Sequence, residues 1–240
     1  MGGGQKDDAV APFNLVVPRS RCPHCQHPIS AIENVPILSF LWLKGRCANC
    51  KKPIAWRYPA IELLSAITST AIALHFGAHT ATLAALVFVW ILIALTFIDI
   101  DHQILPDAIT LPFLWVGLLI NSFNIFTDLH SAVIGVIAGY VSLWLVFQTF
   151  KLITQKEGMG YGDFKLFGLF GAWLGWQVLP LIILLASLVG AIVGISFIVL
   201  KGRDRQLPIP FGPFLCSAAL IALLWGNTII HVYLQTLHIT

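Results

Sequence analysis

The feature that most constrains this chain is a series of apolar runs that begins at residue 58 and continues almost to the C-terminus. A helix needs about 20 mostly apolar residues to cross the hydrocarbon core of a bilayer, where every backbone polar group must be satisfied within the segment. Only 10% of the 240 residues are charged and 58% are hydrophobic, whereas about a quarter of the residues of a soluble domain are charged. The predicted fold class is therefore an all-α polytopic membrane protein.

Short polar connections divide the apolar region into seven predicted transmembrane helices. They cover residues 58–77, 80–98, 109–126, 131–150, 164–176, 178–200 and 212–235. The fifth segment is short and glycine-rich, so we expect it to be tilted or buried among the others. No internal repeat is evident.

The Lys and Arg residues all fall on one side of this arrangement. Eight of the fourteen precede the first predicted helix, three flank the connection between the fourth and fifth helices, and three lie between the sixth and seventh. The connections on the opposite side contain neither residue type. Because positively charged connections stay in the cytoplasm, the pattern supports the count of seven and predicts a cytoplasmic N-terminal region. A net charge of +3 is too small to indicate a nucleic-acid partner.

Composition divides the chain into three predicted parts. Residues 1–12 are polar and glycine-rich, and are expected to be a disordered or tag-like lead-in with no cleavable signal peptide. Residues 13–57 are polar, basic and cysteine-rich, and form a predicted cytoplasmic zinc-binding domain. Residues 58–240 form the predicted transmembrane domain.

Four cysteines form two C-x2-C pairs that are separated by 21 residues: Cys22, Cys25, Cys47 and Cys50. Two such pairs predict a tetrahedral Zn²⁺ site with four thiolate ligands. Two disulfides are the alternative, which a reducing cytoplasmic compartment disfavours. With all four ligand positions filled by protein, the metal is expected to be structural. Cys216 lies alone in an apolar run and is expected to be a buried apolar residue.

Four acidic residues lie at the predicted cytoplasmic ends of the spans: Asp99, Asp101, Asp107 and Asp163. Asp107 follows a proline and precedes an apolar run, as a helix N-cap would. Asp99 lies instead at the C-terminal end of the second span, where the helix dipole disfavours an anion. Asp101 is two residues further on, about 200° around the helix, so the two side chains are predicted to face different ways. An ionisable residue in this position indicates a functional site.

We expect Asp99 and Asp163 to face each other across the helix bundle. Two carboxyl groups held close together in a poorly solvated site share one proton, which suits an aspartic protease. The ionised member activates water and the protonated member donates to the developing oxyanion. Three glycines precede the second aspartate, Gly158, Gly160 and Gly162, and are predicted to admit an extended substrate segment beside it.

These motifs resemble those of the type IV prepilin peptidases, bacterial aspartic proteases of the GxGD kind. The stretch "IDIDHQILPD" (residues 98–107) is similar to the first aspartate motif of that family, and "GYGDFK" (160–165) to the second. In the family pattern the catalytic aspartates fall on Asp99 and Asp163. The paired C-x2-C elements and the stretch "PIPFGPFL" (208–215) also look like family features.

The resemblance implies an activity, substrates and a location. Family members cleave the basic leader of prepilins and pseudopilins after a glycine, at the cytoplasmic face of the bacterial inner membrane. Members with the cysteine domain typically also N-methylate the new N-terminus, with S-adenosylmethionine as co-substrate. Their products serve type IV pili and type II secretion. No glycine-rich nucleotide loop after a strand marks a methyl-donor site in this sequence.

One departure from the family pattern concerns the start of the chain. The family usually begins with a transmembrane helix that this sequence lacks, so its eight spans become seven here. A truncated gene, an engineered truncation or a divergent start would each explain the difference. Two alternatives to an active enzyme follow: an inactive or scaffolding homologue without the first helix, and a cation transporter, which does not account for the Gly-x-Gly-Asp spacing.

Overall fold

The computed structural model describes residues 20–156, 158–201 and 209–236. Those residues form eight α-helices, and their only β-structure is two isolated bridges, which confirms the all-α fold class. The helices are α1 (Leu38–Trp42), α2 (Arg57–Phe76), α3 (Thr80–His102), α4 (Asp107–Asn121), α5 (Leu129–Thr154), α6 (Tyr161–Leu174), α7 (Leu179–Lys201) and α8 (Gly212–Thr236). The predicted lead-in, residues 1–12, lies outside the described residues.

Each of the seven predicted transmembrane segments coincides with one helix, from α2 to α8. Within the described residues, five of these helices are long and apolar enough to cross a membrane: α2, α3, α5, α7 and α8. The helices α4 and α6 have 15 and 14 residues and are shorter than a full span. The five-residue helix α1 lies in the cysteine-rich region and was not predicted from the sequence.

The chain forms two compact units, Met1–Ile67 and Thr68–Thr240, and the division falls inside α2. The first unit contains the cysteine-rich region, α1 and the first half of α2. The second contains the rest of α2 and the other membrane helices.

The short helix α6 is the most buried element of the second unit. It packs on α5 and α4 and also contacts α7 and α8. Ten of its fourteen residues are buried, so the glycine-rich segment is surrounded by other helices, as expected. Its length does not need to match a bilayer, because little of it reaches lipid.

Glycines allow the backbones of α5 and α6 to touch. A Cβ atom placed on Gly171 would lie 2.1 Å from the carbonyl carbon and oxygen of Gly135, and one placed on Gly139 would lie 2.6 Å from the carbonyl oxygen of Phe167. Small residues at such crossings let helices pack closely in membranes, where van der Waals contact replaces the hydrophobic effect as the driving force.

Asn121 joins the ends of α4 and α6. Its side chain is fully buried, and its amide nitrogen donates to the carbonyl oxygens of Ala172 and Trp173, each at 2.8 Å. Its Oδ1 atom accepts from the backbone N–H groups of Phe126 and Thr127. Because these partners satisfy its polar atoms, burial of the amide costs little free energy. The same hydrogen bonds fix the position of α6 along α4.

Candidate functional site

Asp163 lies in the first turn of α6. Gly160 is the N-cap residue with extended backbone (φ −80°, ψ 149°), and the Asp163 N–H donates to the Gly160 carbonyl at 3.2 Å. The Asp163 carboxylate reaches back to accept a hydrogen bond from the backbone N–H of Gly160, and the side chain is only 7% exposed. The GxGD sequence therefore starts a helix and turns the aspartate inward.

Asp99 lies three residues before the end of α3 and is 5% exposed. Its Oδ2 atom accepts a hydrogen bond from the backbone N–H of Gly212, the first residue of α8, at 3.0 Å. The N-terminus of a helix favours negative charge through its free N–H groups and its dipole. The unfavourable end of α3 is thus offset by the favourable end of α8. By contrast, Asp101 is exposed.

Three segments of the chain meet at Leu105, which lies in the connection between α3 and α4. A Cβ atom on Gly162 would lie 2.8 Å from the Leu105 Cβ, and one on Gly212 would lie 3.4 Å from its Cδ2. The carboxyl groups of Asp99 and Asp163 are near enough to interact electrostatically. The fold therefore brings two buried aspartates together across an apolar contact between the α3–α4 connection, the GxGD turn and the start of α8.

The three glycines of the second motif have different surroundings. A Cβ atom on Gly158 would lie 2.7 Å from the ring of Phe150, so this residue is small for packing reasons, like Gly162. A Cβ atom on Gly160 would have, of the part of the chain that the structure describes, only the Asp163 Oδ2 within 4 Å, at 3.8 Å. Open space beside the aspartate is therefore found at Gly160, and the substrate-approach role of the three glycines stays a prediction.

An ion pair joins α4 to α6 two residues beyond Asp163. The Lys165 ammonium lies 2.8 and 2.6 Å from the two carboxylate oxygens of Asp107. Both side chains are partly exposed, so the pair is worth about 1 kcal/mol or less, but it helps to hold the two helix starts together. Asp107 is the first residue of α4 and not its N-cap, which is Pro106.

Sequence reasoning missed the residues that α8 contributes to this site. The backbone N–H of Gly212 donates a hydrogen bond to Asp99. One turn later in α8, Cys216 is 2% exposed and lies close enough to both aspartates to interact with them electrostatically. Its thiol hydrogen-bonds the side chain of Thr96, one turn before Asp99. The stretch "PIPFGPFL" was the available signal, because it places a glycine between prolines at the start of an apolar run.

The four paired cysteines lie on two knuckles with matching backbone geometry. In each, the first cysteine donates its N–H to the carbonyl of the residue five positions on and accepts from the N–H of the residue four positions on. An isolated β-bridge closes each knuckle: Arg21 with Pro28, and Arg46 with Pro53. The two stretches share the pattern R-C-x2-C-x2-P, a short internal repeat, so the expectation of no internal repeat is wrong at this point.

The sulfur atoms of Cys22, Cys25, Cys47 and Cys50 all lie within 4.8 Å of one another, and none forms a disulfide. The Cys22–Cys50 and Cys25–Cys47 sulfur pairs are 3.8 and 3.9 Å apart. A tetrahedron of sulfurs about 2.3 Å from a central Zn²⁺ has edges of about 3.8 Å, so the cluster has the size that zinc requires.

The acidity of these thiols also suits a metal. Backbone N–H groups of Cys25 and His24 lower the pKa of Cys22 to about 6. The Lys52 N–H acts in the same direction on Cys50, but burial and the other three sulfurs raise the pKa of Cys50 to about 11. Cys50 would therefore ionise at neutral pH only with a cation beside it, which a divalent metal would supply.

Two family models match this chain. The model described as "Type IV leader peptidase family" covers residues 86–195, and "Bacterial Peptidase A24 N-terminal domain" covers residues 9–76. The first includes both buried aspartates and the second all four paired cysteines. No solved structure matches.

Curated relatives carry the name "Prepilin leader peptidase/N-methyltransferase". The relative from Aeromonas hydrophila is 57% identical over 223 residues, which are 93% of this chain and 77% of the relative. The relative from Pseudomonas aeruginosa is 51% identical over 233 residues, covering 97% of this chain and 80% of the relative. The relative from Legionella pneumophila is 49% identical over 222 residues, covering 92% and 77%.

Proposed function

The chain belongs to the type IV leader peptidase family, and we propose that it cleaves the leader peptide from prepilins and pseudopilins and N-methylates the new N-terminus. The observation that carries the proposal is the pair of buried aspartates, Asp99 and Asp163, brought together from α3 and α6. By the positive-inside pattern, cleavage takes place at the cytoplasmic face of the inner membrane. The products would serve type IV pili and type II secretion.

The proposed cleavage uses the two carboxyl groups as a base and an acid. Each carboxylate accepts a backbone N–H at a helix start, Asp99 from Gly212 and Asp163 from Gly160, so either can hold the negative charge. We take Asp99 as the base and Asp163 as the acid. Asp99 takes a proton from a water molecule, whose oxygen attacks the scissile carbonyl carbon while Asp163 donates its proton to the carbonyl oxygen. Collapse of the tetrahedral intermediate breaks the C–N bond as one hydroxyl group returns its proton to Asp163. The proton held by Asp99 passes to the leaving nitrogen, giving a leader carboxyl group and a free amine.

The new amine is the group that methylation requires. S-adenosylmethionine is the expected methyl donor, as an activated methyl sulfonium that loses its methyl group to the nitrogen. No residues of this chain are assigned to it. The order of the two reactions follows from their chemistry, since the amine exists only after cleavage.

The four paired cysteines would hold a structural Zn²⁺. Four thiolates complete a tetrahedral shell and leave no position for water or substrate, so the metal would stabilise the fold of the cysteine unit and take no part in cleavage. This role agrees with the hydrogen-bonded knuckles around the sulfur atoms.

The direct test of the function is to incubate the purified chain in detergent with a prepilin. Mass spectrometry should show a product shortened by its leader and, when S-adenosylmethionine is present, heavier by one methyl group. Intact prepilin after prolonged incubation with folded, metal-loaded protein would favour the inactive homologue.

Gly212→Ala is expected to lower the cleavage rate by about 10-fold or more, because its Cβ would lie 2.6 Å from the Asp99 Oδ2 and would push the carboxylate out of place. The matched control is Gly226→Ala on the same helix, whose Cβ would meet a Val178 methyl group at 3.2 Å and no site residue. Initial rates on one prepilin compare the two variants. Equal rates for both would show that the Gly212 contact does not position Asp99.

Cys47→Ser is expected to remove the bound metal, because it leaves three thiolates and breaks one knuckle. Elemental analysis of the purified protein measures the zinc-to-protein ratio, with a value near one expected for the unmodified chain. Cys216→Ala is the control and should keep its zinc, since this buried residue is not part of the cysteine cluster. Full zinc content in Cys47→Ser would contradict the assignment of the ligands.

A further inference from the structure

An apolar surface on the cysteine unit is left uncovered by the residues of that unit that the structure describes. The side chains of Leu38, Leu41 and Trp42 lie at positions i, i+3 and i+4 and therefore share one face of α1. They are 65%, 65% and 79% exposed. Trp56, next to the start of α2, is 77% exposed as well. Such a concentration of large apolar side chains marks an interaction surface. We call the part formed by Leu38, Leu41 and Trp42 the α1 face.

Contacts inside the first compact unit fix the α1 face beside the start of α2. The backbone N–H of Ile37, the N-cap of α1, donates to the Glu62 carboxylate at 2.7 Å. The Phe40 ring packs on the Trp56 ring with centroids 5.0 Å apart. Glu62 is the sixth residue of α2, about 8 Å along the helix axis from its start. The start of α1 is thus held level with the second turn of α2.

The helix that holds α1 is itself a candidate membrane span. Within the described residues, α2 has the length and apolarity to cross a bilayer. Only 11% of its 18-residue apolar stretch is buried by protein. In its first half, Leu63 and Ile67 are 49% and 58% exposed, as side chains that face lipid would be. The α1 face therefore lies beside a helix whose exposed apolar side chains lipid would cover.

Charge and residue type match the surface of a bilayer. The basic residues that follow α1 in the chain, up to the first residue of α2, are exposed: Lys44, Arg46, Lys51, Lys52 and Arg57. Basic residues near a bilayer surface are attracted to anionic headgroups, by about 1 kcal/mol each. Tryptophan is enriched at the boundary between hydrocarbon and water, because its ring is amphipathic.

We propose that α1 is an interfacial helix that inserts Leu38, Leu41 and Trp42 into the headgroup region of the bilayer that α2 crosses. The occupant of the α1 face is thus lipid, and the cysteine unit has two attachments to the membrane, α1 and α2. The inserted helix sets the height of the metal knuckles above the hydrocarbon, since α1 ends five residues before the second C-x2-C pair begins. This inference does not depend on the proposed enzymatic function.

The test measures the depth of Trp42 in nanodiscs that contain the full chain. Because the chain has eight tryptophans, the signal of Trp42 is obtained as the difference between the unmodified protein and Trp42→Phe. Lipids brominated near the headgroup should quench this signal more strongly than lipids brominated near the chain ends, and aqueous iodide should quench it weakly. The matched control is Trp90→Phe, since Trp90 lies midway along α3 and is half-exposed. Its signal should be quenched most by the deep bromines.

Two results would overturn the proposal. Strong quenching of Trp42 by iodide, with none by brominated lipid, would place the α1 face in water. Quenching by neither would mean that protein covers it, either a second copy of the chain or a bound substrate. A second variant, Leu41→Asp, puts a charge on the inserted face. It is expected to shift Trp42 quenching from lipid to iodide with unchanged zinc content, and unchanged lipid quenching would also overturn the proposal.

Discussion

Asparagine in place of either Asp99 or Asp163 is expected to lower the rate of leader cleavage by about 10³-fold or more. The amide has the shape of the carboxyl group, and in Asp99→Asn the amide oxygen could still accept the Gly212 N–H, so the fold should survive. An amide can neither take a proton from water nor donate the acidic proton that the carbonyl oxygen needs. The loss should therefore appear in kcat, with KM for the prepilin nearly unchanged.

Asp101→Asn is the matched control for both substitutions. Asp101 lies on the same helix as Asp99, two residues away, but is exposed. Its substitution removes the same charge from the same face of the membrane, and should leave the cleavage rate close to that of the unmodified chain. Comparable losses in Asp101→Asn and Asp99→Asn would mean that charge at this face, and not acid–base chemistry, accounts for the effect.

Gly171→Ala is expected to destabilise the second unit by about 3 kcal/mol, at the upper end of overpacking effects, because the added methyl group meets backbone that cannot rotate away. Its Cβ would lie 2.1 Å from the Gly135 carbonyl group, so α5 and α6 would have to separate. For a chain of this size the change corresponds to a fall in Tm of about 6–12 °C. Thermal unfolding of the purified protein in detergent measures it.

Gly194→Ala is the control for this substitution. Gly194 is also a glycine inside a membrane helix, but among the described residues its Cβ would meet only the Ile209 Cδ1, at an ordinary 3.5 Å. The Tm should then change little or rise slightly, since alanine favours helix more than glycine does. A Tm for Gly171→Ala equal to that of Gly194→Ala would show that the α5–α6 backbones are not in close contact.

The positions of the membrane helices could be predicted from the sequence because apolar runs are a local property. The first predicted segment, 58–77, differs by one residue at each end from α2. The helix α1 could not be predicted, since five residues are too few for a periodic pattern. Its start is held by a hydrogen bond to Glu62, 25 residues away in the chain.

The candidate site was only partly predictable for a similar reason. Spacing and resemblance singled out Asp99 and Asp163, and the structure buries both. The end of α3 is unfavourable for Asp99 only when that helix is considered alone. The compensating donor, Gly212, is 113 residues further along the chain, and no local pattern relates the two. The cysteine spacing likewise predicted a cluster, but the distances between sulfur atoms that fit zinc follow from how the two knuckles face each other.

The central claim is that Asp99 and Asp163 act as one acid–base unit in leader cleavage. The most direct measurement is single-turnover cleavage of one prepilin by Asp99→Asn, Asp163→Asn and the double variant, with enzyme in excess. If the aspartates act as a unit, each single substitution already removes the pathway, and the double variant is no slower than either single one. Near-normal cleavage by either single variant, or a double-variant loss equal to the product of the two single losses, would contradict the claim.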